Sequence, residues 1–414
     1  MMYKAFKYKL KPTTAQLIQL NQIGGGTRWL WNYMLNQNIT QYAIDKKFIF
    51  NRQMQLLLPN LKIQYPWLQD IPSQSLQQKC ADLDKAFKQM KSGKGFPKYK
   101  SKKTSNDSFR IPQTNDHIKP TKTQIQIPKL GWIKWKRHIP LQGLLKSITI
   151  KQENNNWYCV CLCELPDVKQ IKIFNKNNVV GIDLGLKDLV ITSTGVKYDT
   201  PKFYRSKQDK LSKLQRSASK KVKGSNNQNK IKIQIRKLHN KIKNQRSDYL
   251  HKISHQITND YLFIGVENLN IKGMSKNHKL SKSILDQGWG ILLYQLDYKS
   301  KRNGGLTIKI NRYAPSSKTC SSCGNIQDMP LNIREYNCPN CGLHIDRDIN
   351  ASYNIKKWAI DELIKNGYGT DPCGGASDGD ISNDISYVSL KQEKILDVCG
   401  NGPSIDSGQG NLVL

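Results

Sequence analysis

The chain opens on an alternation. From Tyr3 to Leu10 (YKAFKYKL) basic residues alternate with apolar or aromatic ones, the period of a half-buried strand. Pro12-Thr13-Thr14 ends it and signals a helix start. Leu17, Leu20, Ile23, Leu30, Tyr33 and Met34 then recur at helical spacing from Gln16 to about Phe50, and Gly24-Gly25-Gly26 predicts an interruption of that helix. A second helix is predicted over Gln74 to Met90, with Leu76, Cys80, Leu83 and Phe87 on one face, followed by a basic loop from Gly93 to Lys103. Short strands are predicted at 108–111, 124–127, 133–136 and 145–151, and Trp157 to Glu164 alternates strictly. Cys159, Cys161 and Cys163 share one face of that strand and read as small core residues.

The pattern changes at Asn178. Val179 to Asp183 and Leu189 to Ser193 read as buried strands, with a turn at Thr194-Gly195 and a third strand from Lys197 to Thr200, an antiparallel meander. Arg205 to Arg246 reads as two helices split at Gly224 to Asn229, the second carrying the stripe Ile231, Ile235, Leu238, Ile242, Tyr249, Ile253 and Ile257. Further strands are predicted at Tyr261 to Val266 and Leu306 to Ile310, and a last helix from about Asp348 to Lys365. No internal repeat is evident.

Charge adds a partner to this picture. The 414 residues carry 66 Lys+Arg against 31 Asp+Glu, a net +35. Residues 205–246 hold 15 Lys/Arg and one acid, Asp209, which makes a phosphate-facing helical hairpin at least as good a reading as a solvated face. Nucleic acid fits such an excess, because each neutralised phosphate releases a counterion. Residues 366–414 hold two Lys and seven acids and lack periodicity, which predicts a disordered acidic tail. A mean hydropathy of −0.62, no apolar run near 18 residues and no apolar leader argue against a membrane protein and for the cytosol. The length predicts roughly two to four domains.

Ten cysteines without a leader point to metal rather than disulfides. Cys320-Ser-Ser-Cys323-Gly and Cys338-Pro-Asn-Cys341-Gly, 14 residues apart, match a zinc ribbon. Four thiolates complete a tetrahedral Zn²⁺, so this ion would be structural. Gly324 and Gly342 are expected to let the chain pass close behind the sulfurs, and His344 is a bystander.

Three acids stand where a metal-dependent nuclease would need them. Asp183 ends a buried strand in GIDLGLKDL, Glu267 follows YLFIGV, and Asp348 opens the last helix in HIDRDINASYNI. A pair of Mg²⁺ ions about 3.5–4 Å apart needs bridging carboxylates from different elements. Each acid also has a bland reading: Asp183 as a turn residue, Glu267 as a strand-end surface acid, Asp348 as a helix cap. All three together in the order strand, strand, helix favour the metal reading. Asp188 and Asp346 are the nearest competitors, Asp346 as cap or outer ligand.

GIDLGLKDL, GVENLN, SSKTCSSCG…CPNCG and DRDINASYNI together resemble TnpB, the OrfB-type transposon protein related to RuvC-bearing type V CRISPR effectors. YKAFKYKLKPTTAQ…TRWLWNYML and FPKYKSKK extend the resemblance over about residues 3–366. Ser352 departs from the family pattern, where a second alanine is usual. The resemblance implies an α/β multidomain protein: a wedge-like β-barrel (1–11 and 107–176) interrupted by a helical recognition lobe (12–106), and an RNase H/RuvC-like nuclease domain (177–315 and 343–367). A zinc ribbon (316–342) completes it; the acidic tail (368–414), read from composition, is not covered by the resemblance. It implies Asp183, Glu267 and Asp348 as Mg²⁺ ligands and catalytic residues. The activity implied is RNA-guided cleavage of double-stranded DNA beside a short flanking motif, by a monomer on a guide RNA from the transposon end. A strand-transferring transposase and a non-cleaving guided DNA-binding regulator are the alternatives. Arg28, Trp29, Trp31 and Asn32 stand out, but tryptophans at this spacing are read as core.

Overall fold

The computed structural model describes residues 2–102, 106–113, 118–154, 156–330 and 332–370; the expected acidic tail lies, from residue 371 on, outside them. The chain divides into two compact units, Met1–Lys169 with Phe203–Arg246, and Gln170–Lys202 with Ser247–Leu414.

The first unit opens with β1 (Met2–Lys11), whose alternation buries Phe6, Tyr8 and Leu10. Helix α1 (Thr14–Asp45) starts at a capping box in which Thr13 and Gln16 exchange side-chain and backbone hydrogen bonds. It does not break at the glycines, as the sequence had predicted. A Cβ on Gly24 would lie 2.8 Å from Asp107 Cβ, and one on Gly26 would lie 2.3 Å from Ile71 Cδ1. These glycines are close-packing positions, and that packing offsets the cost of about 1 kcal/mol each carries inside a helix. Short helices α2 (Asn51–Leu56) and α3 (Leu58–Gln64) lead to α4 (Ser73–Lys91), which buries Leu76, Cys80, Leu83 and Phe87.

The strands β2 (Ser108–Ile111), β3 (Gln124–Ile127), β4 (Gly131–Lys136), β5 (Leu144–Glu153) and β6 (Asn156–Leu165) join β1 in an antiparallel sheet. Its order is β2-β5-β6-β1-β4-β3, a half-barrel where the resemblance implies a wedge-like β-barrel. Cys159, Cys161 and Cys163 are fully buried; Cys159 and Cys161 pair with Tyr8 and Phe6 of β1. Small side chains there leave room for the two rings. The basic hairpin is α5 (Gln208–Ser219) and α6 (Asn226–Asp260), where Leu211 packs on Leu238 and Ile242.

The second unit is built on a five-stranded sheet of order β10-β9-β8-β11-β12. Strands β8 (Val179–Asp183), β9 (Asp188–Thr192) and β10 (Lys197–Asp199) form the expected antiparallel meander. Strands β11 (Phe263–Val266) and β12 (Leu306–Lys309) continue it in parallel with β8. A minor parallel pair, β7 (Ile173–Phe174) with β15 (Gly369–Thr370), forms a separate sheet whose Phe174 packs with Val179 and Phe263. Strand period two sends Val180, Ile182, Ile264 and Val266 to one face, against Leu250, Ile253 and Ile257 of α6 and against α8 (Ser281–Gln287) and α9 (Trp289–Arg302). A one-turn helix, α7 (Ile271–Met274), precedes them. On the other face lies α10 (Arg347–Lys365), with Ala359 and Leu363 against Val179 and Phe263. Gly181 and Gly265 set how closely α10 approaches. A Cβ on Gly181 would fall 2.0 Å from the Ser352 carbonyl oxygen, and one on Gly265 would fall 2.6 Å from Ala359 Cβ. The hairpin β13 (Glu335–Asn337) and β14 (His344–Asp346) leads into α10. No described helix is long and apolar enough to cross a membrane.

Candidate active site and metal centre

Register places the first two acids. Val266 pairs with Ile182 in parallel, so Glu267 and Asp183 leave adjacent strands side by side, one strand spacing of about 4.8 Å apart. The third comes from α10, docked on those strands through Gly181 and Gly265. Asp348 lies in its first turn, but the cap is Asp346, whose Oδ1 accepts from the Asp348 and Ile349 backbone N–H groups at 2.9 and 3.2 Å. The cap reading of Asp348 therefore does not hold, and its carboxylate is available for other partners.

Electrostatics marks the three as one cluster. Burial, then the nearby Glu267 and Asp348 carboxylates, push the Asp183 pKa up to about 8, against the weaker pull of the Leu184 N–H and Arg347. Ser316, 6% exposed, donates its Oγ–H to Glu267 Oε1 at 2.7 Å. Arg334 and Arg347 approach Asp348 at 3.6 and 3.5 Å, and Lys197 holds Asp346 at 2.6 Å. None of these four partners was assigned from sequence. Ser316 lies in the SSKTC motif, and no spacing rule connects it to Glu267, 49 residues earlier. Carboxylates brought together at the ends of two central strands offer the oxygen donors that a hard divalent cation prefers. Their oxygens do not converge as the thiols do: among the described residues, the four cysteines form the only His/Cys/Asp/Glu group of three or more with all ligand atoms within 4.8 Å.

That second cluster is Cys320, Cys323, Cys338 and Cys341. The Sγ atoms of Cys320 and Cys341, and of Cys323 and Cys338, lie 3.6 Å apart. Sulfurs bound at 2.3 Å to a tetrahedral ion would be roughly 3.8 Å apart, so the set fits Zn²⁺. The two knuckles are built alike. Gly324 and Gly342 adopt φ +78° and +73° and donate to the Cys320 and Cys338 carbonyls at 3.0 Å. A Cβ on either would meet nothing within 4 Å, so left-handed backbone, rather than the expected close approach, calls for glycine. Hydrogen bonds from the Asn325 N–H and the Asn340 amide pull the Cys323 pKa down to about 6, readying a thiolate. His344 pairs with Glu335 at 3.2 Å and stays outside the sulfur group.

Helix α10 ties the two clusters together. Asn350 donates to the Thr319 carbonyl at 2.7 Å and accepts from the Ser321 N–H at 2.9 Å. Asn354 donates to the Ser316 and Thr319 carbonyls at 2.9 and 2.6 Å. The start of the ribbon is thus fixed to the helix that bears Asp348.

Sequence comparison agrees along most of the length. The chain is 32% identical over 371 residues to the Escherichia coli K12 protein named "Putative RNA-guided DNA endonuclease InsQ", covering 85% of this chain and 91% of that one. The chain belongs to the TnpB family. A Streptomyces pristinaespiralis "Putative RNA-guided DNA endonuclease" is 31% identical over 85% of this TnpB chain and 88% of its own. The mimivirus TnpB-like protein L770 is 29% identical over 56% and 47%. Three family profiles match: OrfB_IS605, described as a probable transposase, at residues 162–278; the Cas12f1-like TNB domain at 289–355; and the OrfB helix-turn-helix domain at 1–47. Among the described residues of that last stretch, Met2–Lys11 form β1 and Thr14–Asp45 the single helix α1.

Proposed function

We propose that this TnpB is a transposon-encoded, RNA-guided endonuclease that cuts double-stranded DNA beside a short flanking motif. The observation that carries the reading is that Asp183 and Glu267, leaving two parallel strands, and Asp348, from the docked helix, form one electrostatic cluster, in which burial and then the two neighbouring carboxylates hold Asp183 near pKa 8. The sheet that presents them, an antiparallel meander continued by parallel strands with helices on both faces, is read as an RNase H/RuvC-like core. Asp183, Glu267 and Asp348 would hold divalent cations, Mg²⁺ by their oxygen chemistry. When bound, such a cation supplies positive charge to a departing 3′ oxygen and eases the deprotonation of water.

The chain's own residues do the positioning. Ser316 fixes the Glu267 carboxylate through its hydroxyl. Asp346 caps α10, which leaves Asp348 unengaged by the helix terminus. Cys320, Cys323, Cys338 and Cys341 would hold a structural Zn²⁺, and Asn350 and Asn354 connect that ribbon to the acids. The basic hairpin α5–α6 supplies charge for nucleic-acid backbone. Residues 1–11 with 107–176 are read as the wedge and 12–106 as the recognition lobe. The protein acts as a monomer on its RNA in the prokaryotic cytosol.

The test uses protein co-expressed with RNA from its transposon end, incubated with Mg²⁺ and plasmids that carry a matched target beside randomised bases. Double-strand breaks restricted to one flanking motif support the reading. Joined strands in place of breaks would make it a strand-transfer enzyme, and motif-dependent binding without cleavage would make it a guided binder.

A further inference from the structure

The half-barrel unit contains a cationic pocket that no role above uses. A cavity of about 20 Å³ is lined by Arg28, Lys79, Lys100, Asn106, Asp107 and Ser108, among others. Two of its three cations are engaged. Arg28 forms an ion pair with Asp107, and Lys79, only 6% exposed, reaches Asp82 at 3.4 Å and the Ser108 carbonyl at 3.3 Å. Lys100 has no carboxylate within 4.0 Å among the described residues. Its ammonium instead sits 3.5 Å from the centre of the Trp31 ring.

Lys100 is nonetheless held in place. Its backbone N–H donates to Asn32 Oδ1 and its carbonyl accepts from Asn32 Nδ2, both at 2.8 Å. Trp31 Nε1 donates to the Lys98 carbonyl at 3.0 Å. The segment has no regular structure of its own, so α1 fixes where this ammonium points. Burial, with Lys79 close by, lowers the Lys100 pKa to about 8. A ring face supplies no full counter-charge, and Asp82, which is already paired with Lys79, offsets the burial only in part. Arg28, Lys79 and Lys100 against Asp82 and Asp107 leave one positive charge in surplus, the charge of a single phosphodiester reversed.

We propose that Lys100, supported by Lys79 and Arg28, binds one backbone phosphate of a nucleic acid, a site that rests on the nucleic-acid reading above. The small cavity suits phosphate oxygens entering from a chain outside, and RNA and DNA present the same group.

The test is the salt dependence of binding by the full-length protein to mixed-sequence single-stranded RNA and, separately, to mixed-sequence duplex DNA. Lys100→Met keeps the aliphatic stem over Trp31 and removes the charge. The slope of log Kd against log salt should become shallower by about 0.7 on the RNA or about 0.9 on the duplex, the loss of one phosphate contact. The probe whose slope moves names the source of the phosphate, and Lys100→Arg restores it. The free Lys100→Met protein should melt no lower than wild type, since it loses a half-buried charge that Asp82 offsets only in part. Unchanged slopes on both probes, or a collapse of the variant's melting temperature, overturn the proposal. Failure of the wild-type protein to bind either probe would instead sink the nucleic-acid reading, and this site with it.

Discussion

The second unit carries two clusters of metal-ligand chemistry built on opposite plans. The ribbon sulfurs are gathered within 4.8 Å by two copies of one local turn; backbone and amide N–H groups favour the thiolates of Cys323 and Cys338, while burial pushes the Cys320 thiol up to about 11. The carboxylates come from three separate elements and stay further apart. Their mutual repulsion helps to hold Asp183 toward its protonated form. In one cluster local N–H groups ready two of the four thiols; in the other, burial and then neighbouring charge hold a carboxyl toward its protonated form, which on the function proposed above a cation would reverse. A site that only has to hold the fold can be closed and satisfied. A site that has to act keeps open positions and stored repulsion.

The sharpest way to break this contrast is to remove one member of each cluster. Asp183→Ala is expected to take DNA cleavage to background while RNA binding and zinc content stay at wild-type levels; joint loss of cleavage and RNA binding would make Asp183 a folding residue. Cys320→Ser should act the other way round. It should lose zinc and solubility and weaken cleavage only indirectly, because structural zinc binding is folding free energy. A Cys320→Ser protein with full zinc content and full activity would remove the ribbon from the scheme.

How far each cluster was legible in the sequence follows the same divide. The ribbon is written in contiguous residues, so CxxCG twice, 14 residues apart, named all four sulfurs. Asp183 and Glu267 were visible because each ends an apolar strand, where an unpartnered acid is costly. Their adjacency depends on the pairing of Val266 with Ile182, which no local pattern encodes. Ser316 and Arg334 were missed because their partners lie far along the chain or across the β13–β14 hairpin, and Arg347 because its place next to Asp348 does not by itself show that its guanidinium turns to that carboxylate. The same reason misled the reading of Gly24-Gly25-Gly26: the triplet looks like a break until Ile71 and Asp107 are seen against it. The short helices α2, α3, α7 and α8 are only 6, 7, 4 and 7 residues long, too few to show a period.

A milder change sharpens the comparison at the carboxylate cluster alone. Ser316→Ala removes the hydroxyl that orients Glu267 without touching its charge. Partners that orient a metal ligand typically cost about 10–100-fold in metal affinity or activity when removed. Cleavage should therefore fall within that range and recover in part at raised Mg²⁺, whereas Cys320→Ser should not respond to Mg²⁺. Loss of zinc from Ser316→Ala would show that the two clusters are not separable through this residue.

The smallest expected effect is on stability, and its sign is diagnostic. A carboxyl with a folded pKa near 8 and an ordinary value of 3.8 keeps its proton in the folded chain over a range where the unfolded chain has released it. The folded state then binds more protons, so stability falls as pH rises between those values and levels off above about 8. Asp183→Asn deletes that titration. In chelator-treated protein the variant should melt at nearly the wild-type temperature around pH 4 and above it around pH 8, the gap opening as pH rises between them. Mg²⁺ should close the gap at pH 8 by raising wild type alone, because only wild type keeps the full ligand set. A gap that is flat with pH, or a variant that melts lower at pH 8, would mean that Asp183 is already neutralised within the chain and that the cluster is not strained by its charge.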